Sequence, residues 1–282
     1  MAFKNFLSGF SLLNLAFKIF VVVAILGYFF LNTSFLSKFN NDAETTPPVE
    51  VAMVATPDKA EMEKMFREYL LTNPEIIQEA IAVLQNKVQQ QRENDITAII
   101  QNQIETIENP KGLFINGPAD ADVTLVEFFD YNCTYCKSAF KDVNRLLAED
   151  KKLKVVMYEL PILAPSSLTA ARASLAAMKQ NKYWEFHSSM IGNNGSLTDE
   201  LVFDHAKNIG LDIEQLKIDM VSREVEQALV YSAQLADELK VNGTPAFIIG
   251  GKLIPGAIGY QNMFNLIAEA RAKIAAQKAS AN

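Results

Sequence analysis

The hydrophobic pattern opens with one long apolar run. From Phe17 to Phe30 the sequence FKIFVVVAILGYFF carries a single charge, Lys18, and the apolar character continues to Leu36. That length approaches a bilayer core, so residues 17–36 are expected to form a transmembrane helix. Lys4 and Lys18 precede the run, and Asp42, Glu44 and Glu50 follow it, a bias that Lys38 offsets only slightly. By the positive-inside rule residues 1–16 then lie in the cytoplasm and the chain beyond about Asn40 lies outside. A cleaved signal peptide is the alternative. It requires small residues just past the apolar core, where this chain reads LNTSFL, so an uncleaved anchor is expected. Residues 37–56, rich in Thr, Pro, Glu and Ala, read as an extended tether.

Helical periodicity follows. Met62, Met65, Phe66, Tyr69 and Leu70 fall on one side of a helix within Asp58 to Leu71. Asn73 is expected to cap the next helix, with Pro74 in its first turn, and Ile77, Ile81, Leu84 and Val88 continue at helical spacing. Gln89 to Asp95 is wholly polar before Ile96, Ile99, Ile100, Ile104 and Ile107 resume the pattern, so one or two helices around a polar break are expected. So narrow an apolar seam does not bury itself. Residues 57–108 are therefore read as a segment packing on copies of itself, with docking on the chain's own domain as the alternative.

From Asn109 the rhythm changes to strands alternating with helices, and residues 109–282 read as one α/β domain. Leu113 to Ile115 is an edge-strand candidate, and Val123 to Phe129 (VTLVEFF) reads as a central strand buried on both faces. Lys137 to Glu149 then reads as a helix with Phe140, Val143, Leu146 and Leu147 inward, and Leu153 to Leu160 as a third strand. The result is a parallel crossover unit. Between about 165 and 240 lies a helical insertion, with segments at Ala170 to Met178, Trp184 to Ile191, Leu201 to Ile209, Asp212 to Met220 and Val225 to Leu239.

Composition narrows the function. The formal net charge of -7 leaves no basic field for nucleic acid, and that class is excluded. The two cysteines, Cys133 and Cys136, stand at C-x-x-C spacing directly after the central strand. Thiols so placed at a helix start close a small disulfide and act as a two-electron redox device. Unpaired amides and the helix dipole favour a Cys133 thiolate, which leaves Cys136, one turn in, as the resolving thiol. A metal centre is the rival reading, but it needs four ligands, and one cysteine pair with the distant His187 and His205 does not supply them. No cofactor is expected. The histidines are read as a packing residue among aromatics and a solvated helix residue. Glu127 is a lone acid in an apolar strand, costly to bury unless it has a role; a position at the sheet edge or a lysine partner is the alternative. Asp130 is expected nearer the surface, where its charge slightly raises the Cys133 pKa.

Four motifs carry a resemblance. VTLVEFFDYNCTYCK at 123–137, ELPIL at 159–163, FH at 186–187 and NGTPAFIIGGKLIPGA at 242–257 make the stretch from about Asn109 to Ala276 resemble the Dsb protein A family of thioredoxin-fold disulfide oxidoreductases. The resemblance implies a thioredoxin-like fold with an inserted helical domain, a redox-active Cys133–Cys136 disulfide, and a cis Thr244–Pro245 bond beside the cysteines that offers an edge to a substrate strand. It also implies that Glu127 relays protons to the buried cysteine. The best-known members carry Pro-His between the cysteines. Here Thr134 and Tyr135 stand there, which predicts a weaker oxidant nearer the isomerase range. The Asn73-Pro74-Glu75 helix start resembles the oligomerising arm of Scs C-type and related surface-antigen relatives.

The expected function is thus thiol-disulfide exchange on unfolded or misoxidised secreted proteins, in a homo-oligomer anchored in a bacterial inner membrane with its catalytic domain in the periplasm and a membrane thiol-disulfide electron partner. An oligomeric isomerase is favoured. A disulfide oxidase, or a non-catalytic envelope scaffold, is the alternative.

Overall fold

A computed structural model describes residues 58–281 of the chain; the expected transmembrane helix at 17–36 and the tether at 37–56 lie outside the described residues. Residues up to Thr72 form one unit and those from Asn73 onward a second. In the first, helix α1 (Lys59–Thr72) buries none of its residues and exposes Met62, Met65, Phe66, Tyr69, Leu70 and Leu71.

The second unit begins with α2 (Glu75–Glu108), a continuous helix of 34 residues. The polar stretch does not break it. Gln89 Nε2 donates to Glu93 Oε1 and Gln91 Nε2 to Asp95 Oδ1, each at 2.7 Å, and such i,i+4 pairs between strong helix formers carry the helix across the gap in apolar periodicity. Its N-cap is Pro74 rather than the expected Asn73, with no side-chain cap bond. The two halves of α2 differ. Ile100 and Ile107 are fully buried in the domain core, Ile96, Ile99 and Ile104 pack against it, and Tyr158 Oη donates to Ile107 O at 3.0 Å. Ile77, Ile81, Val83, Leu84 and Val88 are exposed. Docking on the chain's own domain therefore describes the second half of α2, while the first half keeps an unpartnered apolar stripe.

The domain is built on a five-stranded sheet of order β1-β3-β2-β4-β5, from β1 (Phe114–Asn116), β2 (Val123–Phe129), β3 (Leu153–Glu159), β4 (Ala246–Ile249) and β5 (Lys252–Pro255). β2 pairs parallel with β3, from Val123 opposite Leu153 to Phe129 opposite Glu159, and helix α3 (Thr134–Glu149) makes the crossover. Every residue of β2 is buried, as its apolar run requires. β1, β4 and β5 join antiparallel. Gly250 and Gly251 turn the β4–β5 hairpin with φ of 58° and 76°, the positive values a type I′ turn needs.

The insertion consists of α4 (Pro165–Ala177), α5 (Tyr183–Ile191), α6 (Asp199–Asn208), α7 (Ile213–Met220) and α8 (Arg223–Glu238). The side chains of Thr198, Asp212 and Ser222 cap α6, α7 and α8. At its centre is α4, where the small residues Ala170, Ala171, Ala173, Ser174, Ala176 and Ala177 are buried and allow close approach of the neighbouring helices. The helix α9 (Tyr260–Ala281) covers the sheet with Met263, Ile267 and Ala270 buried.

Candidate active site around the cysteine pair

The carboxyl end of β2 delivers the cysteines to the start of α3. Cys133 is the N-cap, with φ of -81° and ψ of 114°, and its Sγ accepts the backbone N–H of Cys136 at 3.2 Å. The same sulfur donates to Thr244 O at 3.1 Å. Thr244–Pro245 is a cis peptide bond, and Pro245 O accepts from Gly256 N at 2.8 Å. Both cysteines are free thiols and both are buried. The geometry brings Cys133, Cys136, Thr244 and Pro245 together, while Thr134 and Tyr135 are exposed beside them.

The two thiols are pushed in opposite directions. Cys133 falls to about 6: the Cys136 thiol contributes most, the Thr244 side chain and the amides of Cys136 and Tyr135 add to it, and burial opposes. The Thr244 carbonyl accepts from the thiol and so favours its protonated form. The Thr244 hydroxyl is buried and has no hydrogen-bond partner among the described residues. Cys136 is driven far up by burial, then by the hydrogen bond it gives to Cys133 and by the charge of Glu127. One sulfur is thus a thiolate at neutral pH and its neighbour a thiol.

Glu127 sits in the middle of β2, 3% exposed, between Met157 and Phe247 in register. It is not at the sheet edge, and no lysine pairs with it among the described residues. Burial, reinforced by the Cys133 charge, raises its carboxyl to about 8. With its pKa raised so far, the ionised form of Glu127 is a stronger base than an ordinary carboxylate, and its charge in turn raises the Cys136 thiol.

Asp130 departs from expectation. It is 1% exposed, and its carboxylate is enclosed by donors: Asn132 N at 2.7 Å, Ile162 N at 2.8 Å, Leu163 N at 2.9 Å and Ser167 Oγ at 2.7 Å. The motif around it hid this, because three of the four donors lie more than thirty residues away. Asn132 behaves alike, donating to Ser166 Oγ and Ser167 Oγ and accepting from Leu197 N at 2.7 Å. Lys137 Nζ binds Asn193 O at 2.9 Å and Gly195 O at 2.5 Å.

Tyr131 completes the set. Its hydroxyl meets Ser174 Oγ at 2.7 Å, His187 Nδ1 at 2.9 Å and Glu159 Oε1 at 3.3 Å, and Tyr183 Oη donates to the same carboxyl oxygen at 2.8 Å. Burial holds His187 neutral, at about 3, and pushes Glu159 well above the carboxylate range. His187 packs among Phe129, Phe140, Tyr183 and Trp184, as read from sequence, but also anchors this network. His205 is half-buried, with Nδ1 2.5 Å from Ser189 Oγ. Among the described residues no three His, Cys, Asp or Glu side chains gather as a metal cage.

Comparison with known proteins agrees with this architecture. Residues 58–91 match the copper resistance protein ScsC N-terminal domain. The crystal structure of a thioredoxin-like oxidoreductase from Silicibacter pomeroyi DSS-3 is 39% identical with a TM-score of 0.58, covering 60% of this chain and 97% of that one. Proteus mirabilis ScsC in a compact conformation is 27% identical with a TM-score of 0.58, covering 77% of this chain and 99% of that one. A Na(+)/H(+) antiporter NhaA 1 from Salinispora arenicola is 30% identical over 140 residues, 49% of this chain, and the chain spans only 22% of that relative's length. The DSBA-like thioredoxin domain matches residues 124–268, just over half of the chain, and with its cysteine pair, cis-proline turn and helical insertion in place the chain belongs to that family of thiol-disulfide oxidoreductases.

Proposed function

We propose that the chain exchanges thiols and disulfides with polypeptides outside the cytoplasm, and that its role is disulfide isomerisation in an oligomer. The observation that carries this is the position of Cys133 Sγ at the helix N-cap, 3.1 Å from the carbonyl of the cis-bonded Thr244. The Cys133 thiolate attacks a substrate disulfide; a Cys133–substrate bond forms, the substrate bond breaks, and the second substrate sulfur leaves as thiolate. Cys136, giving its proton to the ionised form of Glu127, then attacks the Cys133 sulfur and releases the substrate sulfur as thiolate, leaving a Cys133–Cys136 disulfide. Run backwards, the same steps oxidise a dithiol. When another substrate thiolate resolves the mixed disulfide first, bonds are reshuffled with no net electron transfer.

Three features support the isomerase reading. Thr134 and Tyr135 supply no cation to stabilise the thiolate further, which moderates the pair as an oxidant. The stripes on α1 and on the first half of α2 are exposed apolar surface of the kind that pairs with further copies of the chain. The match to the ScsC N-terminal domain covers that same segment. The setting is the periplasm, with residues 17–36 as the inner-membrane anchor and a membrane thiol-disulfide partner resetting the pair. Monomeric oxidase is the second reading, favoured by the exposed hydrophobic Tyr135, Ile162 and Leu163, a surface on which an oxidising partner can dock.

Scrambled-ribonuclease rescue by the chain with and without residues 58–91 tests the reading; the deletion stops there because Ile100 and Ile107 belong to the core. Rescue lost on deletion, with insulin reduction retained, supports an oligomeric isomerase. Equal rescue by both forms counts against it, and no insulin turnover with intact thiols sinks the enzyme reading in favour of a scaffold.

A further inference from the structure

The second unit contains a groove that the exchange chemistry does not use. It is a cavity of about 570 Å³, walled on one side by Val88, Ile96 and Ile99 of α2 and on the other by Glu238, Lys240 and Asn242 at the end of α8. A second cavity, about 310 Å³, lies under the residues from Lys240 to Gly256 and includes Thr244 and Pro245. Lys240 and Asn242 line both. The two cavities thus adjoin at Lys240 and Asn242, one lined by Thr244, whose carbonyl Cys133 touches, and the other by the flank of α2.

Three properties of the adjoining cavities select their occupant. Between Asn242 and Thr244 no amide donates to another backbone carbonyl among the described residues, so the near end presents open main chain to a strand. From Val88 to Ile99 the helix rises about 16 Å, the span of roughly five extended residues. The helix wall sets the aliphatic Val88, Ile96 and Ile99 among Gln91, Arg92 and Asp95, and with Glu238 and Lys240 opposite the lining carries two charges of each sign and so favours neither acidic nor basic chains.

We propose that an extended segment of the polypeptide substrate, running on from the cysteine bound at Cys133, lies in this groove and seats a bulky apolar side chain against Val88, Ile96 and Ile99. The inference rests on the exchange reading and adds a substrate class: unfolded chains with a large apolar residue within about six positions of the reacting cysteine. It also gives α2 a role within its own chain, apart from any contact with other copies.

The test uses the full chain carrying Cys136→Ala, so that the mixed disulfide is not resolved. Synthetic peptides each hold one cysteine joined to glutathione, with leucine or serine placed two to six residues to either side. Attack of Cys133 on the peptide sulfur forms the protein–peptide disulfide and expels glutathione thiolate, and mass spectrometry follows the rate. Leucine on one side only should speed capture about tenfold over serine, the equivalent of ~1.4 kcal/mol. Val88→Asp should remove that advantage while leaving the rate with glutathione disulfide unchanged. Equal rates for leucine and serine in the parent overturn the groove, as does a leucine advantage that survives Val88→Asp. A change in oligomeric mass on Val88→Asp overturns it in favour of a second copy, whether or not the leucine advantage survives. Failure to react with glutathione disulfide is a different result, because it removes the exchange reading itself.

Discussion

Replacing Glu127 with glutamine should change how stability depends on pH, in a way that separates Glu127 from Cys133. In the folded chain Glu127 holds its proton to about pH 8, against 4.5 when unfolded. Between those values the folded state binds a proton that the unfolded state has lost, so stability falls as pH rises, by about 1.4 kcal/mol per unit. From pH 5 to 7 that is about 3 kcal/mol. Cys133 acts with the opposite sign. Its thiol falls from 9.0 to about 6 on folding, so from pH 6 to 9 the unfolded state holds the extra proton and stability rises at the same slope. In the reduced parent the two effects cancel between pH 6 and 8; below pH 6 the buried neutral His187 and the protonated Glu159 contribute with opposite signs, and equally in parent and variant. Glu127→Gln should remove the Glu127 loss and expose the Cys133 gain above pH 6. The buried amide costs about 1–3 kcal/mol for want of partners, but equally at every pH. Urea unfolding of the reduced chains at pH 5, 6, 7 and 8, followed by the fluorescence of the sole tryptophan, Trp184, gives the difference curve. Parent and variant curves that run parallel across this range would refute a buried, protonated Glu127.

Thiolate absorbance at 240 nm should titrate a single sulfur at about pH 6 in the reduced chain, with iodoacetamide labelling Cys133 and sparing Cys136. At pH 7 that thiolate favours the reduced state by about 1.4 kcal/mol, making the pair roughly 30 mV more oxidising than an unperturbed one. Thr244→Val should raise the transition by about one unit through loss of the hydroxyl, and a midpoint unchanged in the variant denies that hydroxyl a part. Asn132→Ala strands the Leu197 amide and frees Ser166 and Ser167, at a cost of about 1–3 kcal/mol in thermal unfolding; a negligible shift would show that the turn holds without it. Arg271 makes short bonds to both Asp122 and Asp150, yet its side chain is 37% exposed, so Arg271→Ala should cost only about 1 kcal/mol, and a loss several times larger contradicts solvent screening of that cluster.

Elements governed by short-range pattern were legible in the sequence. VTLVEFF has no alternation to mistake, and β2 begins and ends where that run does. The insertion helices α6, α7 and α8, capped by Thr198, Asp212 and Ser222, sit within two residues of their expected spans, whereas α4 starts at Pro165, ahead of the expected Ala170. Misreadings arose where two signals of different kinds competed. Gln89 to Asp95 removes the apolar stripe but keeps high helix propensity, and propensity with i,i+4 bonding prevails in a solvated helix. The division of α2 into a buried and an exposed half depends on where the sheet lies, which its isoleucine spacing does not encode; Ile81 and Ile100 look alike in sequence and differ completely in burial.

The same distinction explains the site. Cys133, Cys136, Thr244 and Pro245 were identifiable because the thiols and the Thr-Pro turn sit within recognisable motifs. The side chains that hold them in place were not, since each finds its partner far along the chain. Asp130, Tyr131 and Asn132 stand immediately before the nucleophile, and every one of them reaches into the helical insertion, at Ser167, at Ser174 and His187, and at Ser166 and Leu197 respectively. Lys137, one turn after it, is bound to the carbonyls of Asn193 and Gly195. The turn that carries Cys133 is therefore bracketed on both sides by contacts from a domain that a minimal thioredoxin fold lacks. A displacement of a few tenths of an ångström in α4 or α5 is transmitted through buried, short hydrogen bonds to the turn carrying the sulfur, since a packed interior does not absorb it. The insertion thus helps to fix the position of the turn that carries the sulfur.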